Sequence, residues 1–323
     1  MSRFLAALNN QNQGRPPVWL MRQAGRYLPE YKQLRKNHSL LEMFLSPDLI
    51  AEVTLMPIKR FDMDASILFS DILMVARGMG LNLDFEEGPK VTPSIDSENW
   101  KSFQWDLDPL TPVFEGIAKI KARSSTPLIG FCGGPFTVST YLIPPEIRQN
   151  WMREDAQSFT AFLDRLTEHS IAYLQAQVAA GVDAIQVFDS WASLLNEKEW
   201  EKWSLAPLKK MIQALNIPAI VFMRGSGRRA EKIAEIRPAA ISLDWECRLK
   251  EIRQKVYLPL QGNLDPSLLL RPVDEVREEV HKILEEMQGD PGFIFNLGHG
   301  VLPTTSVNAV QALVNAVKNI ANN

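Results

Sequence analysis

The chain has 323 residues, 46% of them hydrophobic and 23% charged, with a net charge of −3. That composition is of an ordinary globular protein with a large core, and the near-neutral balance argues against a general nucleic-acid binder. No apolar run approaches the length needed to cross a bilayer, residues 4–8 are too short for a signal-peptide core, and the two cysteines, Cys132 and Cys247, lie far apart. No membrane association is expected, and reduced thiols in a cytoplasm are expected rather than a disulfide framework.

In chain order the predicted strands are 18–21, 65–69, 128–131, 184–188, 219–223, 240–243, 258–261 and 293–296. They are nearly continuous in hydrophobicity, as strands buried on both faces of a parallel sheet are. Amphipathic stretches lie between most of them. Ser46-Pro47 starts one helix, with a capping serine and a proline in the first turn, and Pro57 within it predicts a kink. A long pattern from about 155 to 180 ends at Gly181 as a C-cap. Asp265-Pro266 starts another helix, and Thr304 or Thr305 caps the last, which runs to the C-terminus. Eight strands with intervening helices predict a (β/α)₈ barrel, a single domain over residues 1–323, with a doubly wound open sheet as the alternative. No repeat or linker marks a second domain.

The ends of these strands carry the polar and glycine residues, where a barrel builds its active site. The first is followed by Arg22, Gln23, Ala24, Gly25 and Arg26. Between residues 15 and 36, Arg15, Arg22, Arg26, Lys32, Arg35 and Lys36 stand against a single acid, Glu30. A lone basic cluster is more often solvated surface. Two arginines around a glycine-containing turn, however, suit a polycarboxylate, because the guanidinium fork matches carboxylate geometry. Asp71 is flanked by Ile67-Leu68-Phe69-Ser70 and Ile72-Leu73, surroundings in which a carboxylate is costly unless compensated. Gly130-Phe131-Cys132-Gly133-Gly134-Pro135-Phe136-Thr137 is a glycine-rich turn without the lysine of a phosphate loop, with Tyr141 one helical turn on. Asp189-Ser190 follows the fourth strand. Arg224-Gly225-Ser226-Gly227-Arg228-Arg229 reads as a glycine-rich turn with solvated arginines. His299 sits between Gly298 and Gly300. Four scattered histidines and two distant cysteines give no zinc spacing, and no dinucleotide or phosphate-loop motif occurs, so no metal or organic cofactor is expected.

These segments, in this order, resemble the uroporphyrinogen decarboxylase family over essentially the whole chain. Pro16 through Tyr31 is similar to its first signature and Gly130 through Thr137 to its second. Phe69-Ser70-Asp71-Ile72-Leu73, Leu243-Asp244-Trp245, Gln261 through Pro266 and Phe295 through Gly300 also fall in family order. The resemblance implies a single distorted (β/α)₈ barrel, usually a homodimer, using no cofactor. Its substrate is a cyclic tetrapyrrole with eight carboxylates, whose four acetates become methyls in haem biosynthesis. It further implies that Arg22 through Arg26 hold substrate carboxylates and that Asp71 lies beneath the pyrrole nitrogens. Tyr141, Ser190 and His299 contact substrate, and Arg35 is a further carboxylate partner. Two departures stand out. Leu142-Ile143-Pro144-Pro145 replaces an acidic, glycine-rich stretch, and Asp189 stands where glutamate is common. A corrinoid-linked methyltransferase of the same fold is the enzymatic alternative, disfavoured because the chain has no His-x-Cys. A non-catalytic tetrapyrrole binder would be favoured only if Asp71 were missing.

Overall fold

The structure is a computed structural model and describes residues 1–320. Nine strands are present among them: β1 (Ser66–Ile67), β2 (Asn82–Asp84), β3 (Lys90–Thr92), β4 (Leu128–Gly133), β5 (Ala184–Phe188), β6 (Ala219–Phe222), β7 (Ala240–Ser242), β8 (Leu260–Leu264) and β9 (Phe293–Leu297). Seven form one curled parallel sheet in the order β1-β4-β5-β6-β7-β8-β9. The order never reverses, so the doubly wound alternative is excluded. Every residue of β4, β6, β7, β8 and β9 is buried, which is why these runs do not alternate; β4 and β6 carry only apolar residues and glycine, while β7, β8 and β9 also bury Ser242, Gln261, Asn263 and Asn296.

The first predicted strand differs. Of residues 18–21 only Val18 pairs, in a single parallel bridge to Phe295. Yet the segment occupies the gap between β9 and β1. Phe295 N–H donates to Pro17 O at 2.9 Å on one side, and Asp64 N–H donates to Val18 O at 2.9 Å on the other. Side chains supply what the ladder does not. Asp64 Oδ2 accepts from Val18 N–H at 2.8 Å and pairs with Arg15, Asn296 Oδ1 accepts from Met21 N–H at 3.0 Å, and the Trp19 indole donates to Gln261 Oε1 at 2.9 Å. The barrel is therefore distorted at this stave, a half-barrel of regular sheet closed by an irregular segment.

The helices follow expectation with local corrections. The helix Pro47–Phe61 has Ser46 at its N-cap, but the serine makes no capping bond, and the helix runs on through Pro57. Asp155 caps Ala156–Ala180 by accepting from Ser158 N–H, and Gly181 ends it at φ 116°. Asp265 heads only a short 3₁₀ turn, Pro266–Leu270. The last helix, Val307–Lys318, is capped by Ser306 rather than by Thr304 or Thr305, and residues 321–323, where it was expected to end, lie outside the described residues. After Tyr141 one helix ends at Leu142, and after Ile143 and Pro144 the next, Pro145–Glu154, begins.

The long helix also clamps β4. Gln177 accepts from Phe131 N–H and donates to Phe131 O, both at 2.9 Å. A Cβ on Gly130 would lie 2.5 Å from Gln177 Oε1, so glycine is required for that approach. The β2–β3 hairpin, outside the main sheet, was not expected.

Candidate active site

A cavity of about 890 Å³ opens at the C-terminal ends of the strands. Its lining includes Arg22, Ala24, Gly25, Arg26, Arg35, Asp71, Tyr141, Ser190 and His299, so the predicted site residues converge from five separate parts of the chain.

Gln23 is the exception. It is fully buried and does not line the cavity. Its Oε1 accepts from Leu20 N–H at 3.0 Å, its Nε2 donates to Ala65 O at 3.2 Å, and its carbonyl accepts from the Tyr27 hydroxyl at 2.7 Å. Its side chain shapes the loop that carries Arg22 and Arg26 instead of reaching into the cleft.

Arg22 adopts φ 60°, a left-handed conformation unusual for a non-glycine residue and characteristic of functional sites. Its side chain lies against Gly300, where a Cβ would overlap Arg22 Cδ and sit 2.7 Å from Cγ. The atoms in the way belong to a flexible, exposed side chain rather than to the core. Gly300→Ala is therefore expected to leave the melting temperature nearly unchanged while displacing the guanidinium and lowering kcat/KM about tenfold. A melting curve and steady-state kinetics on one preparation check this, and unchanged kinetics would show that the seat of Arg22 is unimportant.

Asp71 directly follows Ser70 at the end of the β1 segment. Its Oδ1 accepts from Leu73 N–H at 2.9 Å, which fixes the carboxylate in a tight turn. Burial among apolar neighbours pushes its pKa up, while the Leu73 N–H and the Arg22 charge oppose the shift. The side chain nevertheless keeps part of its surface open to the cavity.

The floor is aromatic. Phe131, Phe188 and Phe222, from β4, β5 and β6, meet edge to face with centroids 5.6 and 5.9 Å apart, and Phe222 meets His299 in the same way at 5.9 Å. Burial, with Arg22 and Arg224 nearby, lowers the His299 pKa to about 4, so the imidazole is neutral at pH 7 and offers a neutral N–H donor.

Asp189 does not reach the cavity. It is fully buried, and Oδ1 accepts from the Thr137 hydroxyl at 2.6 Å and Thr137 N–H at 3.1 Å, while Oδ2 accepts from Ser204 at 2.5 Å. Ser204 belongs to a π-turn, Glu201–Leu205. A Cβ on Gly134 would lie 2.5 Å from Asp189 Oδ1, which accounts for the glycine-rich turn without any phosphate.

Two contributors escaped the sequence reading. Arg224, read as solvated, lines the cavity and lies over the Trp191 ring, 5.4 Å from its centroid. The tip of the β2–β3 hairpin also lines it, with Phe85 packed on Phe44 at 5.5 Å and Glu86 and Glu87 at the rim. The position of Arg224 after β6 was the available signal; three-residue strands around Phe85 left none. Among the described residues no group of three or more His, Cys, Asp or Glu side chains gathers as a metal site, and no helix is long and apolar enough to cross a membrane.

Comparison with known proteins adds the following. The family profile described as "Uroporphyrinogen decarboxylase (URO-D)" matches residues 1–320. A uroporphyrinogen decarboxylase of Protochlamydia amoebophila is 46% identical over 98% of this chain and 91% of its own length. One from Vesicomyosocius okutanii is 38% identical over 97% of this chain and 96% of its own. Among solved structures, a methyltransferase from Methanosarcina mazei superposes with a TM-score of 0.85 at 24% identity, covering 98% of this chain and 97% of its own. A B12-independent methionine synthase from Shewanella sp. W3-18-1 does so with 0.57 at 14% identity, covering 94% and 93%. At these identities the two structures speak to the barrel fold alone.

Proposed function

We infer that the chain, which belongs to the uroporphyrinogen decarboxylase family, converts the four acetate side chains of uroporphyrinogen III to methyls, giving coproporphyrinogen III in tetrapyrrole synthesis. The observation that carries this reading is a carboxylate set among apolar neighbours, Asp71, in a cavity with an aromatic floor and the arginines Arg22, Arg26 and Arg35 in its lining. A macrocycle bearing eight carboxylates needs apolar surface for its rings and cations for its periphery. The aromatic floor supplies the first, and Arg22, Arg26 and Arg35 the second.

Decarboxylation needs an electron sink. A pyrrole protonated at the ring carbon next to the one that bears the acetate becomes a cation delocalised over the acetate-bearing carbon and the nitrogen. The C–C bond electrons flow into it as carbon dioxide leaves, forming an exocyclic methylene; protonation of that carbon and loss of the proton first added to the ring then yield the methyl and restore the pyrrole. Asp71 accepts the pyrrole N–H bonds and stabilises the cation, and its buried setting strengthens the interaction at the moment the charge forms. Tyr141, Ser190 and neutral His299 act as hydrogen-bond donors to the peripheral carboxylates. Two further assignments rest on the resemblance: a single barrel domain working in the cytoplasm, and a homodimer, for which light scattering at assay concentration is the check.

Anaerobic incubation with uroporphyrinogen, followed by separation of the oxidised porphyrins by carboxylate number, tests the reading. The expected result is passage through seven-, six- and five-carboxylate species to four, at a rate unchanged after exhaustive chelation and dialysis. Activity that returns only with added zinc or another metal would refute the metal-independent mechanism, and no loss of carboxylates would remove the decarboxylase reading.

A further inference from the structure

The Trp191 side chain touches two cavity residues at once. Its Nε1–H donates to the Tyr141 hydroxyl oxygen at 3.0 Å, and its ring carries the Arg224 guanidinium at 5.4 Å. An indole nitrogen is a donor only, so in this pair Tyr141 must be the acceptor. The phenolic proton is then turned away from Trp191. Tyr141 lines the cavity, and among the described residues its hydroxyl makes no other hydrogen bond, so that proton is free for a ligand.

The position of Trp191 is itself fixed from two sides. Its backbone N–H donates to Thr137 Oγ1 at 3.0 Å, and Thr137 is held by the buried carboxylate of Asp189. From outside, Arg229 donates to Ala192 O at 3.1 Å and Leu195 O at 2.9 Å, pinning the turn that contains Trp191. Arg224 forms no ion pair with an acidic side chain among the described residues, and a guanidinium stacked on an indole keeps its donor edge available. The ring order sets these groups apart from the 22–26 loop. Arg224 follows β6, which is four staves from the segment of Val18 whichever way the barrel is traversed.

We propose that Trp191 is a positioning residue for a second carboxylate subsite, in which the Tyr141 hydroxyl and the Arg224 guanidinium, both held on its indole, face one side-chain carboxylate of the substrate. This rests on the functional reading above and assigns roles to Trp191 and Arg224 in it. Without the indole N–H, the Tyr141 hydroxyl is free to rotate and its proton is no longer directed. Without the ring, Arg224 loses the surface that holds it over the cavity.

The test is a set of double-mutant cycles on kcat/KM for uroporphyrinogen, which isolate a coupling that a general loss of packing would not show. Trp191→Phe removes the N–H and keeps an aromatic face. It is expected to lower kcat/KM about five- to tenfold in the wild-type background and less than twofold in a Tyr141→Phe background. Trp191→Leu is expected to cost a further factor of about three or more, absent when Arg224 is already glutamine. Equal losses in both backgrounds, or no loss from Trp191→Phe, would overturn the assignment. Should the Trp191 variants fail to fold, Tyr141→Phe against Arg224→Gln decides: two groups on one carboxylate must be coupled by at least about threefold, and strict additivity refutes the shared subsite. Wild-type protein is assayed alongside. If it does not turn over uroporphyrinogen, the functional reading fails; if it does and the cycles are additive, only this subsite fails.

Discussion

Replacing Asp71 by asparagine is expected to lower kcat by up to about a thousandfold while the protein folds normally. A carboxylate about 3.5 Å from a cationic pyrrole, at an effective dielectric of about 20, is worth roughly 4–5 kcal/mol, and this converts to that factor if the whole interaction is gained on reaching the transition state. Asparagine keeps the size and one acceptor oxygen for Leu73 N–H but removes the charge. Glutamate keeps the charge and moves it by a methylene, so it retains more activity than asparagine. Binding of a non-reacting porphyrin should weaken less than kcat falls, because the charge acts chiefly on the cation.

The raised pKa of Asp71 adds two signatures. Activity needs the ionised form, so kcat/KM, which reports ionisation of the free enzyme, falls with decreasing pH along a limb that lies above the usual carboxylate range and disappears in Asp71→Asn. The stability sign is opposite to that of a salt-bridged acid. A folded-state pKa above the unfolded one means that the native state holds the proton longer, so this group's contribution to stability declines as pH rises through the window between the two values. Asp71→Asn should therefore be at least as stable as wild type at pH 7. A variant that turned over at the wild-type rate would make Asp71 a turn residue and nothing more.

Arg22→Ala and Arg26→Ala form the second large expectation. A charge-assisted hydrogen bond between guanidinium and carboxylate is worth about 1.5–3 kcal/mol, so each variant should raise KM by about 10–150-fold. The deficit should be greater at low ionic strength. There the wild-type cluster also attracts the polyanion from a distance, and salt screens that attraction away. Titration of KM against salt for the three proteins checks this, and parallel lines would confine the arginines to short-range contact.

Much of this was legible in the sequence, for identifiable reasons. Strands buried on both faces need no alternation, so their apolar runs stand out, and 184–188 coincides with β5. The irregularity of 18–21 did not show, because a stave held by Asp64, Asn296 and Gln261 leaves no periodic mark. The hairpin was invisible for a different reason: each of its strands has three residues and one buried side chain, Leu83 or Val91. Asp71 and the arginines announced themselves as charges in unsuitable or crowded company. Arg224 did not, since its partner Trp191 is distant in sequence and only folding makes it part of the wall. Gln23 misled because it lies inside a binding segment while serving the backbone around it.

The irregular stave has one more consequence. Backbone ladders are indifferent to side-chain identity, but this stave and the loop it delivers are fastened through Gln23, Asp64, Gln261 and Asn296, none of which lines the cavity. Substituting any of them loosens the mooring of Arg22 and Arg26 without touching a ligand atom. In a mutational scan scored by turnover these four positions would score as part of the catalytic centre while lying outside it. A map of the active site drawn from such a scan would be larger than the site itself, and its excess would trace the seam of the barrel.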